Sequence, residues 1–123
     1  MPRILIIDDE PEIRSLLDRM LVPEGFDVVS AAEGRAGLTL FQQSAFDLVI
    51  TDIIMPEQEG IETIIGLKRH DRSVPIVAIS GGGRVSPEDY LQTAEDLGVA
   101  ATLRKPFSRA DLLETVRRVL GDA

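Results

Sequence analysis

The 123-residue chain has no cysteine and no tryptophan, one histidine, one tyrosine and four phenylalanines. Without cysteine there is no disulfide, no thiolate-bound metal and no cysteine nucleophile. Aromatics are 4% of residues and no glycine-rich phosphate cradle follows the first aliphatic run, which argues against a flavin site. Cations are the minority. Thirteen Lys and Arg against 21 Asp and Glu leave a net charge of −8, so the surface repels phosphodiester backbones and anionic bilayers; direct binding to nucleic acid or membrane is not expected. No apolar run approaches the roughly 20 residues of a membrane span. Met1-Pro2-Arg3 leads straight into Ile4, with none of the layout of a signal peptide, and the expected location is the cytoplasm. The lone His70 ends a helical pattern, where a cation suits the helix dipole; it has no chemical role in this reading.

With 44% hydrophobic and 28% charged residues, the chain reads as one globular domain over residues 1–123. Short aliphatic runs stand at Ile4 to Ile7, Val28 to Val29, Leu48 to Ile50, Ile76 to Ile79 and Ala100 to Leu103. Each is too short for a helix and nearly unbroken by polar residues, as in parallel strands covered on both faces. Between them lie helical patterns. Ile13, Leu16, Leu17, Met20 and Leu21 form one stripe, with Glu12, Arg14, Ser15, Asp18 and Arg19 facing away. Glu33 to Gln43 carries Ala36, Leu40 and Phe41, and Glu59 to His70 carries Ile61, Ile64 and Ile65. Ser86-Pro87-Glu88-Asp89 and Ser108-Arg109-Ala110-Asp111 are helix openings, with a hydroxyl cap and acids in the first turn. Five strands alternating with five helices predict a doubly wound α/β domain with helices on both faces of a parallel sheet. Ligands of such sheets bind outside the carboxyl ends of the strands.

Asp8, Asp9 and Glu10 follow the first run, Thr51 and Asp52 the third, Ser80 and three glycines the fourth, and Arg104 and Lys105 the fifth. The architecture brings them to one edge. Read alone, the acidic triplet serves equally as a cap for the first helix or as a ligand set, and Lys105 alone is a surface lysine. Asp52 decides between them, because it ends an independent strand and a third acid at the same edge calls for a cation. Clustered carboxylates without thiolate or imidazole suit Mg²⁺. A hydroxyl and an ammonium beside such an ion are what phosphoryl oxygens require, and Asp52 is then a nucleophile that is already ionised at neutral pH.

These residues resemble the receiver domain of two-component response regulators over essentially the whole chain. The resemblance rests on Asp8-Asp9, on Asp52-Ile53-Ile54-Met55-Pro56 with Gly60 following, on Ser80 with Gly81, and on Lys105-Pro106-Phe107. It implies a flavodoxin-like, CheY-like sheet in the order 2-1-3-4-5, with Asp52 as phosphoacceptor supplied by a histidine kinase, a phosphotransfer protein or a small phosphodonor. It further implies Mg²⁺ held by Asp9, Asp52 and the backbone carbonyl of Ile54, with Asp8 acting largely through water. Ser80 and Lys105 would bind the phosphoryl oxygens, and the Lys105-Pro106 bond would be cis. The face made by the fourth helix, fifth strand and fifth helix would carry the output to an effector domain or protein, or to a second copy in a homodimer formed on phosphorylation.

Two positions depart from the family's common pattern. Thr102 stands where an aromatic switch residue is frequent, and Gly81-Gly82-Gly83 is richer in glycine than usual, so ordering of that loop on phosphorylation is expected to share in signalling. Aliphatic Ile54 implies slow loss of the phosphoryl group, with Gly82 leaving an approach for water. The alternatives are a phosphorylation-independent interaction scaffold on the same fold, and a phosphatase of the haloacid-dehalogenase type. The latter wants its two acids separated by one residue, whereas Asp8 and Asp9 are adjacent. In 123 residues there is no room for an effector domain, so the chain is expected either to act alone or to be the receiver of a longer regulator.

Overall fold

The computed structural model describes residues 1–53, 59–80 and 95–121. Its elements are β1 (Arg3–Ile7), α1 (Pro11–Leu21), a 3₁₀ turn (Val22–Glu24), β2 (Asp27–Ala31), α2 (Gly34–Gln43), β3 (Leu48–Asp52), α3 (Glu59–His70), β4 (Ile76–Ser80), β5 (Ala101–Arg104) and α4 (Arg109–Val119). The helix expected from Ser86, the glycines Gly81 to Gly83 and the Ile54 carbonyl lie outside the described residues. Four α-helices therefore stand among those described, with Glu95 and Asp96 also helical.

All five strands pair in parallel in the order β2-β1-β3-β4-β5, as the sequence predicts. The unbroken aliphatic runs have a simple physical reading, since successive side chains of a strand point to opposite faces. Leu5 and Ile7 of β1, with Val49, Ile76 and Ala78, meet Phe41 of α2 and Ile64 and Leu67 of α3. Ile4 and Ile6, with Leu48, Ile50, Val77 and Ile79, meet Leu17 and Leu21 of α1 and Leu112 and Val116 of α4. Both layers need apolar residues, so no polar alternation survives in the central strands. At the edge strand β5, Ala101 and Leu103 join the second layer, which turns the half-buried Thr102 toward the first.

The helix ends follow from their sequences. Ser108 caps α4 with its hydroxyl accepting from the Asp111 amide at 3.0 Å, while the Asp111 carboxylate accepts from the Ser108 amide at 3.4 Å. Glu24, just past α1, accepts from Arg109 at 2.7 Å and from Arg117 at 2.6 Å, tying the end of α1 to α4 across the second layer.

Asp52 is the last residue of β3, as the sequence reading has it, and β4 likewise runs one residue past its aliphatic stretch to end on Ser80; Asp52 pairs with Ile79 and Ser80 with Arg104. One helix face differs from the sequence reading. The buried face of α3 is Gly60, Thr63, Ile64 and Leu67, whereas Ile61 and Ile65 are only half-buried. Gly60 explains that rotation. A Cβ there would stand 2.6 Å from the carbonyl carbon and oxygen of Ile53, so only glycine lets α3 pass this close to the residue after Asp52.

Gly60→Ala sets a helix-propensity gain of about 0.5–1 kcal/mol against a clash with main chain that cannot rotate away. Overpacking of this kind costs about 1–3 kcal/mol, so the clash wins. The urea midpoint of the variant is expected to fall; an unchanged or higher midpoint would show that α3 is not held by this contact.

Candidate functional site

At the carboxyl edge of the sheet the chain leaves four neighbouring strands, β1, β3, β4 and β5, side by side. Asp8 follows β1 and is buried, its amide donating to Ala31 of β2 at 3.1 Å. Its carboxylate does not cap α1 in the usual sense. The Oδ1 atom accepts from the Glu10 amide at 2.8 Å, and Glu10 is the N-cap residue without a side-chain cap bond of its own. Asp52 closes β3 at 2% exposure and Ser80 closes β4 at 0%. Lys105 follows β5, its amide donating to the Ser80 carbonyl at 2.7 Å, and the Lys105-Pro106 bond is cis. Phe107 packs half-buried on the second layer behind it.

From that backbone position the Lys105 ammonium reaches three acids. It lies 2.9 Å from Asp52 Oδ2, 3.2 Å from Glu10 Oε1 and 3.4 Å from Asp8 Oδ2. Its side chain is only 13% exposed, against 56% for Glu10. Asp9 is exposed, and its carboxylate has no hydrogen bond or ion pair among the described residues. One oxygen from each of Asp8, Asp9, Glu10 and Asp52 lies within 4.8 Å of the others.

The electrostatics follow from crowding. Like charges about 4 Å apart repel by roughly 4 kcal/mol at an effective dielectric constant of about 20. Burial raises the Asp8 carboxyl to about 6, helped by the Asp52 charge and opposed by the Glu10 amide and Lys105. Burial acts to lower the Lys105 pKa, but hydrogen bonding to Asp52 and the charges of Asp52 and Asp8 outweigh it, and the net shift is upward. The lysine is thus a fixed cation. A single ammonium does not balance four carboxylates, and a donor set made only of oxygens fits a hard divalent ion that keeps some of its waters.

The structure therefore brings together Asp8, Asp9, Asp52 and Lys105, and sets Ser80 on the adjoining strand. The Ser80 hydroxyl is buried and has no hydrogen-bond partner among the described residues, a condition that normally costs about 1–3 kcal/mol. Two residues gain weight that their sequence context did not give them. Glu10 belongs to the acidic triplet but also holds Lys105. Arg14, read as outward-facing on α1, is half-buried and donates to the Asp8 carbonyl at 2.8 Å. An arginine one turn into a helix that starts beside buried acids was the available signal. His70 ends α3 exposed, with its ring edge-on to Phe41 at 5.5 Å. Among the described residues no helix is long and apolar enough to cross a membrane.

Comparison with known proteins agrees with this geometry. Residues 4–117 match the family model for the response regulator receiver domain. The chain is 36% identical over 120 residues to the transcriptional regulatory protein CpxR of Escherichia coli, covering 98% of this chain and 50% of that protein. It is 35% identical over 122 residues to the DNA-binding dual master transcriptional regulator RpaA of Synechocystis, covering 98% of this chain and 49% of that protein. The chain spans about half the length of these curated relatives. Among solved structures, the chemotaxis protein CheY4 of Vibrio cholerae superposes with a TM-score of 0.86 at 32% identity, covering 97% of this chain and 98% of that one. A receiver domain protein from Clostridium thermocellum reaches 0.90 at 28% identity, covering 98% and 95%. The parallel sheet in 2-1-3-4-5 order, the edge that gathers acids and a lysine, and a family match across nearly the whole chain have one meaning: this protein belongs to the response regulator receiver domains of two-component signalling.

Proposed function

We propose that Asp52 accepts a phosphoryl group from a histidine kinase, a histidine phosphotransfer protein or a small phosphodonor, in the cytoplasm, and that the phosphorylated chain passes the signal to an effector domain or protein. The observation that carries this reading is the Lys105 ammonium 2.9 Å from Asp52 Oδ2, brought there across 53 positions of sequence. An Asp52 carboxylate oxygen attacks phosphorus in line. The new bond is O–P, and the bond that breaks is P–N of phosphohistidine or P–O of an acyl phosphate, whose leaving group departs with the electron pair. Lys105 follows the charge from Asp52 to the phosphoryl oxygens, and the partnerless Ser80 hydroxyl supplies a second donor.

Asp8, Asp9, Asp52 and the Ile54 carbonyl are the proposed holders of Mg²⁺, which when bound neutralises charge on the phosphoryl oxygens. Asp8, whose oxygens also accept from the Glu10 amide and Lys105, would assist largely through water, as the receiver resemblance implies. The output is proposed to leave through β5, α4 and the segment before Glu95, with Thr102 on β5 in place of an aromatic gate.

Incubation with acetyl phosphate and Mg²⁺ should add the mass of one phosphoryl group to the native chain and none to Asp52→Ala. Beryllofluoride should likewise bind only the native protein. Lys105→Met should slow phosphorylation about 10²–10³-fold, the usual loss for one charge-stabilising donor. Native-like rates in either variant would sink the assignment.

Metal-free protein should show a pH signature of the crowded acids. The Asp8 carboxyl, at about 6 when folded against 3.8 as a free side chain, binds a proton in the folded state across that window. Its contribution to stability is present below the lower value and lost as pH rises through the upper one. In chelator at pH 7, Asp8→Asn should therefore melt several degrees above the native chain, with the gap closing toward pH 4. Saturating Mg²⁺ should shrink or reverse the gap at pH 7. A pH-independent gap would remove the basis for the repulsion.

A further inference from the structure

We infer that Arg14 is a positioning residue for the Asp9 carboxylate, acting through the Asp8–Asp9 peptide plane; the inference rests on the reading of this site as a Mg²⁺ site. The Arg14 guanidinium makes no ion pair with any acid among the described residues. Asp18, one turn further along α1, offers the familiar helical pairing at i+4, yet Arg14 turns back instead and donates from Nη1 to the Asp8 carbonyl at 2.8 Å. A charged donor spent on a main-chain carbonyl is holding backbone.

What that carbonyl controls follows from covalent geometry. The peptide bond is planar, so the direction of the Asp8 carbonyl fixes the direction of the Asp9 amide and the start of Asp9 itself. Asp8 is gripped at every other polar atom: its amide by Ala31, Oδ1 by the Glu10 amide and Oδ2 by Lys105. Arg14 supplies the remaining grip. Asp9 has none of its own among the described residues, so there its carboxylate is aimed by the peptide that precedes it. Asp8 is 1% exposed, and without Arg14 its carbonyl would have to tilt toward water to find a partner, turning Asp9 with it.

A positioning role and a charge-only role predict opposite signs. Deleting a cation beside four carboxylates strengthens their pull on a divalent ion by Coulomb's law. Deleting the residue that aims one ligand weakens it, and partners of metal ligands typically account for 10–100-fold in affinity. Titration of Mg²⁺ into the native chain, Arg14→Met and Arg14→Lys by calorimetry separates the two, with thermal unfolding in chelator reporting the metal-free fold. We expect the Kd of Arg14→Met to rise about 10-fold and that of Arg14→Lys to rise less. Unchanged or tighter binding in Arg14→Met overturns the inference. Should Arg14→Met not fold, Arg14→Lys decides alone: it keeps the charge, so weaker binding supports positioning and native-like binding overturns it. Failure of the native chain itself to bind Mg²⁺ overturns the underlying reading and this inference with it.

Discussion

Everything at the carboxyl edge of this sheet depends on one contact, the Lys105 ammonium against the Asp52 carboxylate. It joins the ends of β3 and β5 across the intervening β4, and it places an ammonium at the most deeply buried part of an acidic cluster. Burial opposes the charged form of the ammonium, and its hydrogen bond to Asp52 with the charges of Asp52 and Asp8 outweighs that burial; the ammonium also reaches Asp8 and Glu10. Cations remain fewer than the four acids at this edge, and an all-oxygen donor set with excess negative charge is the kind that fits a hard divalent ion.

The architecture supports this strain by making the edge rigid. Two apolar layers clamp the sheet, and each strand that carries a site residue is paired on at least one side almost to its last residue. Asp52 and Ser80 lie inside the ladder rather than in loops, and Lys105 is stitched to the Ser80 carbonyl. Gly60 brings α3 against the main chain just beyond Asp52. The buried acids Asp8 and Asp52 are held by this packing and cannot simply swing apart to relieve repulsion. The buried Ser80 hydroxyl, without a hydrogen-bond partner among the described residues, stands at the same edge.

The chain holds like charges together at one end of a well-packed sheet. The strand ends that hold the site continue directly into the segments leading to α3, to Glu95 and to α4. Thr102 gives β5 a small polar side chain on the face shared with α2 and α3. An aromatic side chain is thus absent at that position.

Much of this was legible in the residues themselves. Aliphatic runs without alternation could only be strands covered on both faces, and acids following the first and third of them could only meet at one edge if the sheet were parallel. The identities Asp8, Asp9, Asp52, Ser80 and Lys105 were therefore readable, because the period of a strand and the handedness of crossovers are local, chemical rules. Other features were decided by the tertiary structure. That Ser80 ends a strand instead of opening a loop depends on which neighbours pair with it. The buried face of α3 was set by how near Gly60 can come to Ile53, a contact between elements that hydrophobic spacing cannot register. The task of Arg14 was hidden for the same reason: its position on α1 places it among outward-facing residues, and only the fold shows that a carbonyl of the preceding turn lies within its reach.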